Sequence, residues 1–407
     1  MLYQLSHVRM TREQTPSVLP TVTDGGLPLQ TTLQTGLASA RRDSRRDNMP
    51  GDAAAPPAAA ERSPPMRPWT SDLAGRYDEV TIDSAALRDN PLGDPAERPL
   101  WVYLPPGYDD DPPRRYPSIY LIQGYTGTLS MWRNRSAFRP TVLELVDDLF
   151  AGPDPAPPAL VVGVDAWTAY GGSQFVDSPG TGRYHTYLCE DVVPFVDARW
   201  RTIPDRESRA ITGKSSGGFG AMITPMLRPD LFAAFASHAG DALYEHCYIR
   251  DFGLAARALR DSYGGSYDAF WRDFRTRPAF SRSGDGPLVT TYGVAACFSA
   301  DPDGTVRLPF DPVTGQLVEP VWQRWLDWDP VRMVPHYAEA LRSQRAIWVD
   351  AGLQDDYFLD LGARAFVAEL AGIGVTHVAF ELFEGTHKAI EYRYPLALRY
   401  LAERLAR

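Results

Sequence analysis

The residues best suited to chemistry fall in SRAITGKSSGGFGAM at 208–222, where Gly213-Lys214-Ser215-Ser216-Gly217 spells G-x-S-x-G. A strand-like ITG leads into it and a helix-like run follows, the setting of a nucleophile held on a sharp strand-to-helix turn. Such a turn strains the serine backbone and crowds its neighbours, so the positions two before and two after must lack a Cβ. Ser215 would present its Oγ above a sheet at the N-terminus of a helix, whose dipole favours developing negative charge. The chemistry this predicts is attack on an acyl carbonyl. Ser216 fails the same frame, because it would need glycines at 214 and 218 and position 214 is lysine. Its backbone N–H instead becomes an expected oxyanion donor. A plain Gly/Ser-rich turn would account for neither the preceding strand nor Gly218 and Gly220, which let helix and sheet approach closely.

A serine nucleophile needs a base oriented by an acid, and on an α/β sheet these follow it in the order acid, then histidine. His238, His246, His336, His377 and His387 follow Ser215. His387, in Phe383-Glu384-Gly385-Thr386-His387, stands between the last strand-like run and the last helix-like one, where a loop can hold an imidazole over the carboxyl edge of a sheet. His377 and His336 fall inside a strand and a helix, and His238 is the competitor, a candidate for a hydrogen bond under a lid. For the acid, IWVDAGLQDDYF at 347–358 offers Asp350 within the apolar run and Asp355 or Asp356 just past it. Asp355 is favoured and Asp356 stays open, while either could cap the helix that follows. The second oxyanion donor is expected from Gly124-Tyr125-Thr126-Gly127, as the N–H of Tyr125. Gly124, Thr126, Lys214 and His238 are the expected substrate contacts.

Positioning these groups requires a sheet. Beyond residue 68, apolar runs at 76–82, 98–104, 117–124, 158–165, 208–213, 233–240, 345–352 and 377–383 alternate with helix-like stretches at 141–150, 186–200, 217–228, 357–374 and 388–407. This βαβ rhythm predicts an α/β domain at 66–407, with a mostly parallel twisted sheet and helices on both faces. The last helix-like stretch reaches residue 407, so no further domain is expected. Residues 241–335, with four of the ten tryptophans, are far too long for an ordinary connection and are expected to form a cap. Its tryptophans read as packing residues before pocket residues, and TVRLPFDPVTGQLVEP within it suggests a small hairpin. Residues 1–65 show no sustained period and too little apolar material to offset ordering, so disorder is expected, as a tail or as a misassigned translation start.

Composition narrows the partners. The 407 residues carry 41 basic and 51 acidic side chains, a formal charge of −10, which argues against nucleic acid or an anionic membrane. Three scattered cysteines suit neither a disulfide framework nor a zinc site, and no metal is expected. There is no membrane-length apolar run and no signal-like h-region, so a cytoplasmic location is the expectation.

VYLPPGYDDDPPRRYPSIYLIQGYTG and the stretch from Gly171 through the nucleophile into its helix resemble the putative esterase family of α/β hydrolases, over about residues 76–407. That family includes esterase D, feruloyl esterases, enterochelin esterases and the antigen 85 mycolyltransferases. The chain departs from it at Gln123, where many members have histidine, at Lys214, in place of the usual histidine or aromatic residue, and after His387. The resemblance implies an α/β-hydrolase fold and a serine esterase acting on a small ester or thioester, with no cofactor. Acyl transfer of the mycolyltransferase type and a non-catalytic binding module on the same scaffold are the alternatives. Oligomeric state is not readable.

Overall fold

Strand-forming runs with few polar interruptions bury both faces, and the computed structural model, which describes residues 72–406, places eight of them in one sheet. The strands are β1 (Arg76–Asp83), β2 (Glu97–Leu104), β3 (Ser118–Ile122), β4 (Leu160–Val164), β5 (Arg209–Lys214), β6 (Ala234–His238), β7 (Ala346–Gly352) and β8 (Val378–Phe383). Their order is β1-β2-β4-β3-β5-β6-β7-β8, antiparallel at β1–β2 and β2–β4 and parallel elsewhere. Period-two alternation divides the strand side chains between two cores. Leu100, Val102, Tyr120 and Ile122 face one layer, and Trp101, Tyr103, Ile119 and Leu121 face the other.

The helices lie on both faces. α1 (Val142–Ala151) starts on a capping box in which Thr141 and Glu144 exchange hydrogen bonds. It packs with the last helix against the second core. α2 (Ser216–Leu227) lies against the first. The cap region is mainly helical, with α3 (Ile249–Tyr263), α4 (Tyr267–Thr276), α5 (Asp285–Phe298) and α6 (Glu319–Leu326), after which α7 (Leu359–Gly372) and α8 (Tyr394–Arg404) complete the domain. Trp271, Trp322 and Trp325 are buried in the first core.

Three details differ from the sequence reading. The stretch expected as a helix over 186–200 winds through a π-helical turn at Tyr187–Val192, just ahead of Pro194, which has no N–H to continue the regular ladder. The stretch expected as one helix from 388 is broken by Ala389, which takes φ 59°, and passes through a 3-10 turn at Glu391–Arg393 before becoming α-helical at Tyr394, with Pro395 in the first turn, where proline is tolerated. The hairpin expected over 305–320 is reduced to isolated bridges, Ala300 with Val306 and Phe310 with Leu317. The expected disordered segment at 1–65 lies outside the described residues. No helix among the described residues is long and apolar enough to cross a membrane.

Candidate active site

β5 ends at Lys214 and α2 begins at Ser216, leaving Ser215 alone to make the turn. Its φ of 59° and ψ of −127° lie in a region that L-residues rarely occupy. The flanking glycines are needed for space. A Cβ on Gly213 would stand 2.5 Å from the Gly217 backbone, and one on Gly217 would stand 2.5 Å from the Ile122 carbonyl oxygen. The elbow is thus wedged against β3, and Gly124 completes it, since a Cβ there would meet the Lys214 carbonyl oxygen at 3.0 Å.

The turn after β3 carries Tyr125. Its hydroxyl donates to the Tyr170 carbonyl at 2.5 Å and lies 3.1 Å from that of Val289 in α5, tying the turn to the cap. Gly171 and Gly172 fit against its ring, where a Cβ would approach to 3.1 and 2.8 Å. Among the described residues, the backbone N–H groups of Tyr125 and Ser216 have no protein acceptor.

Asp355 follows β7. Its N–H bonds the Gly352 carbonyl, and its carboxylate accepts from the N–H of Tyr357 at 2.8 Å and from His387 Nδ1 at 2.8 Å. One aspartate therefore both caps the approach to α7 and anchors the imidazole. Asp356 is exposed and offers only its carbonyl, to Arg250. His387 lies in the loop between β8 and α8, edge-on to Tyr357.

Ser215 and His387 line one cavity of about 360 Å³ together with Gly124, Tyr125, Thr126 and Lys214. That volume is within the range of about 300–1,000 Å³ usual for small-molecule sites. Among the described residues Ser215 and His387 share no hydrogen bond; Ser215 Oγ is instead 3.5 Å from Asp241 Oδ1. Asp241 is a neighbour the sequence reading passed over. Its other oxygen accepts from Ser216 Oγ at 3.1 Å, Tyr248 OH at 2.8 Å and Gln174 Nε2 at 3.4 Å. Burial pushes its carboxyl above the usual range, opposed by the Tyr248 hydrogen bond, the charge of His387 and the bonds from Ser216 and Gln174. The available signal was its place three residues past a strand, at the sheet's carboxyl edge. Burial also pulls the Lys214 ammonium below the usual lysine range, against the attraction of Glu391, Asp355 and Asp241.

His238 is not brought to the cavity. It ends β6, in register with Asp350 on β7, and its Nδ1 lies 2.7 Å from Asp350 Oδ1 with both side chains buried. The adjacent strands hold the ring inside the fold, away from the cavity that Ser215 and His387 line.

A family model described as Putative esterase matches residues 95–388. Esterase Rv1288 of Mycobacterium tuberculosis is 32% identical over 175 residues, covering 40% of this chain and 34% of its own length, so the match spans about a third of that relative. Among solved structures, a ferulic acid esterase superposes with a TM-score of 0.51 at 20% identity, covering 82% of this chain and 100% of that one. MPT51 of Mycobacterium tuberculosis gives 0.50 at 14% identity, covering 81% and 99%. At these identities the two structures speak for the fold.

Proposed function

Since the chain belongs to the putative esterase family and has the α/β-hydrolase fold, we propose that it is a serine esterase whose nucleophile, base and orienting acid are Ser215, His387 and Asp355. The observation that carries this reading is the convergence of a strained elbow serine and an aspartate-anchored histidine on one cavity. His387 Nε2 takes the Ser215 proton as Oγ attacks the ester carbonyl. Asp355 holds the Nδ1–H tautomer and stabilises the imidazolium without accepting the proton. The N–H groups of Tyr125 and Ser216 receive the oxyanion. His387 then returns its proton to the leaving alcohol, and water activated by the same imidazole releases the acid from Ser215.

The resting Ser215 hydroxyl points toward Asp241, so a rotation about its Cα–Cβ bond brings Oγ to His387 when substrate enters. Loose catalytic hydrogen bonds that tighten in the Michaelis complex are common in free enzymes. The ligand is a small-molecule ester; no step calls on a metal or a cofactor. The test is turnover of p-nitrophenyl esters by the purified protein beside Ser215→Ala, with labelling by a fluorophosphonate. Activity and labelling that vanish together in the variant are expected. Turnover that survives Ser215→Ala would refute the assignment.

A further inference from the structure

A second cavity, of about 420 Å³, adjoins the one at Ser215, and Met131, Trp132 and Glu391 line both. Its far walls come from Phe138 in the segment between β3 and α1, from Val142 and Leu145 in the first turn of α1, and from Tyr392 ahead of α8. Three of its large apolar side chains face solvent, with Phe138 84%, Tyr392 50% and Met131 36% exposed. Exposed apolar clusters of this kind mark binding surfaces. The partition between the two cavities is fixed, since Trp132 is buried and packs edge-on against Tyr394 at 5.6 Å.

The charges in this outer cavity cancel. Arg139 and Glu391, the charged residues among its lining, lie 3.5 Å apart as an ion pair. A carrier with several anionic groups would find no free cation among these lining residues, whereas a neutral hydrocarbon finds Met131, Trp132, Phe138, Val142, Leu145 and Tyr392. We propose that this outer cavity is the subsite for an extended, uncharged apolar chain of the ester whose carbonyl sits at Ser215. The proposal rests on the serine-esterase reading above and adds a substrate class to it: esters with a long aliphatic arm on the acyl or the alcohol side.

Two substrate series separate the sides: p-nitrophenyl acetate, butyrate and octanoate extend the acyl arm, while ethyl, butyl and octyl acetate extend the alcohol arm. In one series kcat/KM should climb with each methylene, by up to about fourfold per group, the ceiling set by burying it. The variants are Phe138→Ala, which strips an exposed wall, and Asn134→Trp, which fills the cavity from an exposed rim position. Each should cut the ratio of octyl to two-carbon kcat/KM in that series by about tenfold, the loss expected when one large apolar contact goes. Using this ratio cancels any change in the amount of folded enzyme. Ser215-dependent turnover that is flat with chain length in both series, or ratios unchanged in both variants, overturns the subsite and leaves the esterase reading standing. Absence of Ser215-dependent turnover for every ester removes both.

Discussion

His387 and Asp355 meet at 2.8 Å, and His238 and Asp350 meet at 2.7 Å. The two aspartates lie five positions apart along one strand and its following turn, yet the pairs have different surroundings. His387 lines a cavity shared with Ser215. His238 turns its other nitrogen into the protein, where Nε2 has no partner among the described residues and the ring meets Tyr394 edge-on at 4.9 Å. The acids are occupied differently too. Asp350 is shared among His238, Trp348 Nε1 and the Arg393 guanidinium, each at 2.7–2.9 Å, whereas Asp355 serves His387 and the backbone of its own turn. A histidine–aspartate pair is therefore not a base by composition. It becomes one when the second ring nitrogen opens onto the atom to be deprotonated.

Exchanging acid for amide in each pair tests that contrast. Asp355→Asn should lower kcat by about 10⁴-fold, because the amide stabilises the wrong imidazole tautomer, while the melting temperature stays close to that of the parent since the amide oxygen still caps Tyr357. Asp350→Asn should do the reverse. It takes from the buried Arg393 its buried anion, leaving the half-exposed Glu381, and should cost about 3–5 kcal/mol of unfolding free energy, with kcat per folded molecule within about twofold of the parent. Denaturant titration and active-site counting with a fluorophosphonate separate the two effects. A kcat loss as deep for Asp350→Asn as for Asp355→Asn would erase the distinction between the pairs.

How much of this could be read beforehand depends on where each residue's environment originates. The eight strands were legible because their signal is local, apolar runs with few polar interruptions. The steric need for Gly213 and Gly217 was legible from the frame alone, and the atoms a Cβ would meet are the Gly217 backbone and the Ile122 carbonyl oxygen. The choice between Asp355 and Asp356 was not, because it turns on which carboxylate the turn folds inward. The N–H of Asp355 bonds back to Gly352 and sends its side chain toward the His387 loop. The contacts of Asp241, unlike its place past a strand, were illegible for a similar reason. The backbone around it passes through left-handed conformations at Ala239, φ 43°, and Leu243, φ 57°, where neither glycine nor asparagine signals a bend. The surroundings of His238 were not legible because strand order, which pairs it with Asp350, is a property of the whole sheet.

The sealed pair can be probed from its other end at smaller cost. His238→Phe keeps a ring against Tyr394 and removes one of three donors to Asp350, leaving Trp348 and Arg393 in place. A loss of about 1–3 kcal/mol is expected, below that of Asp350→Asn. A larger loss would mean that His238, and not Arg393, is the principal counterpart of Asp350.

The smallest effect concerns the carboxyl on the cavity side of the comparison, and its sign is opposite to that of Asp350. Burial pushes Asp350 up, but the charge and hydrogen bond of His238, with the bonds from Trp348 and Arg393, hold it below the usual range. Its ionised form therefore contributes stability above the unfolded value, lost as pH falls through the folded one. For Asp241 burial prevails and the folded value is raised. The folded protein then binds more protons than the unfolded chain between the ordinary carboxylate value, about 3.9, and the raised one, so stability from this group declines as pH climbs through that window. Asp241→Asn abolishes the titration while its amide oxygen can still accept from Ser216, Tyr248 and Gln174. The variant should gain on the parent in denaturant titrations as pH rises from about 4 toward 8, with the difference levelling off once the parent's carboxyl is ionised. A variant that instead loses ground over the same range would mean that the three hydrogen bonds and His387 outweigh burial, and that Asp241 is held as a carboxylate like its counterpart behind the sheet.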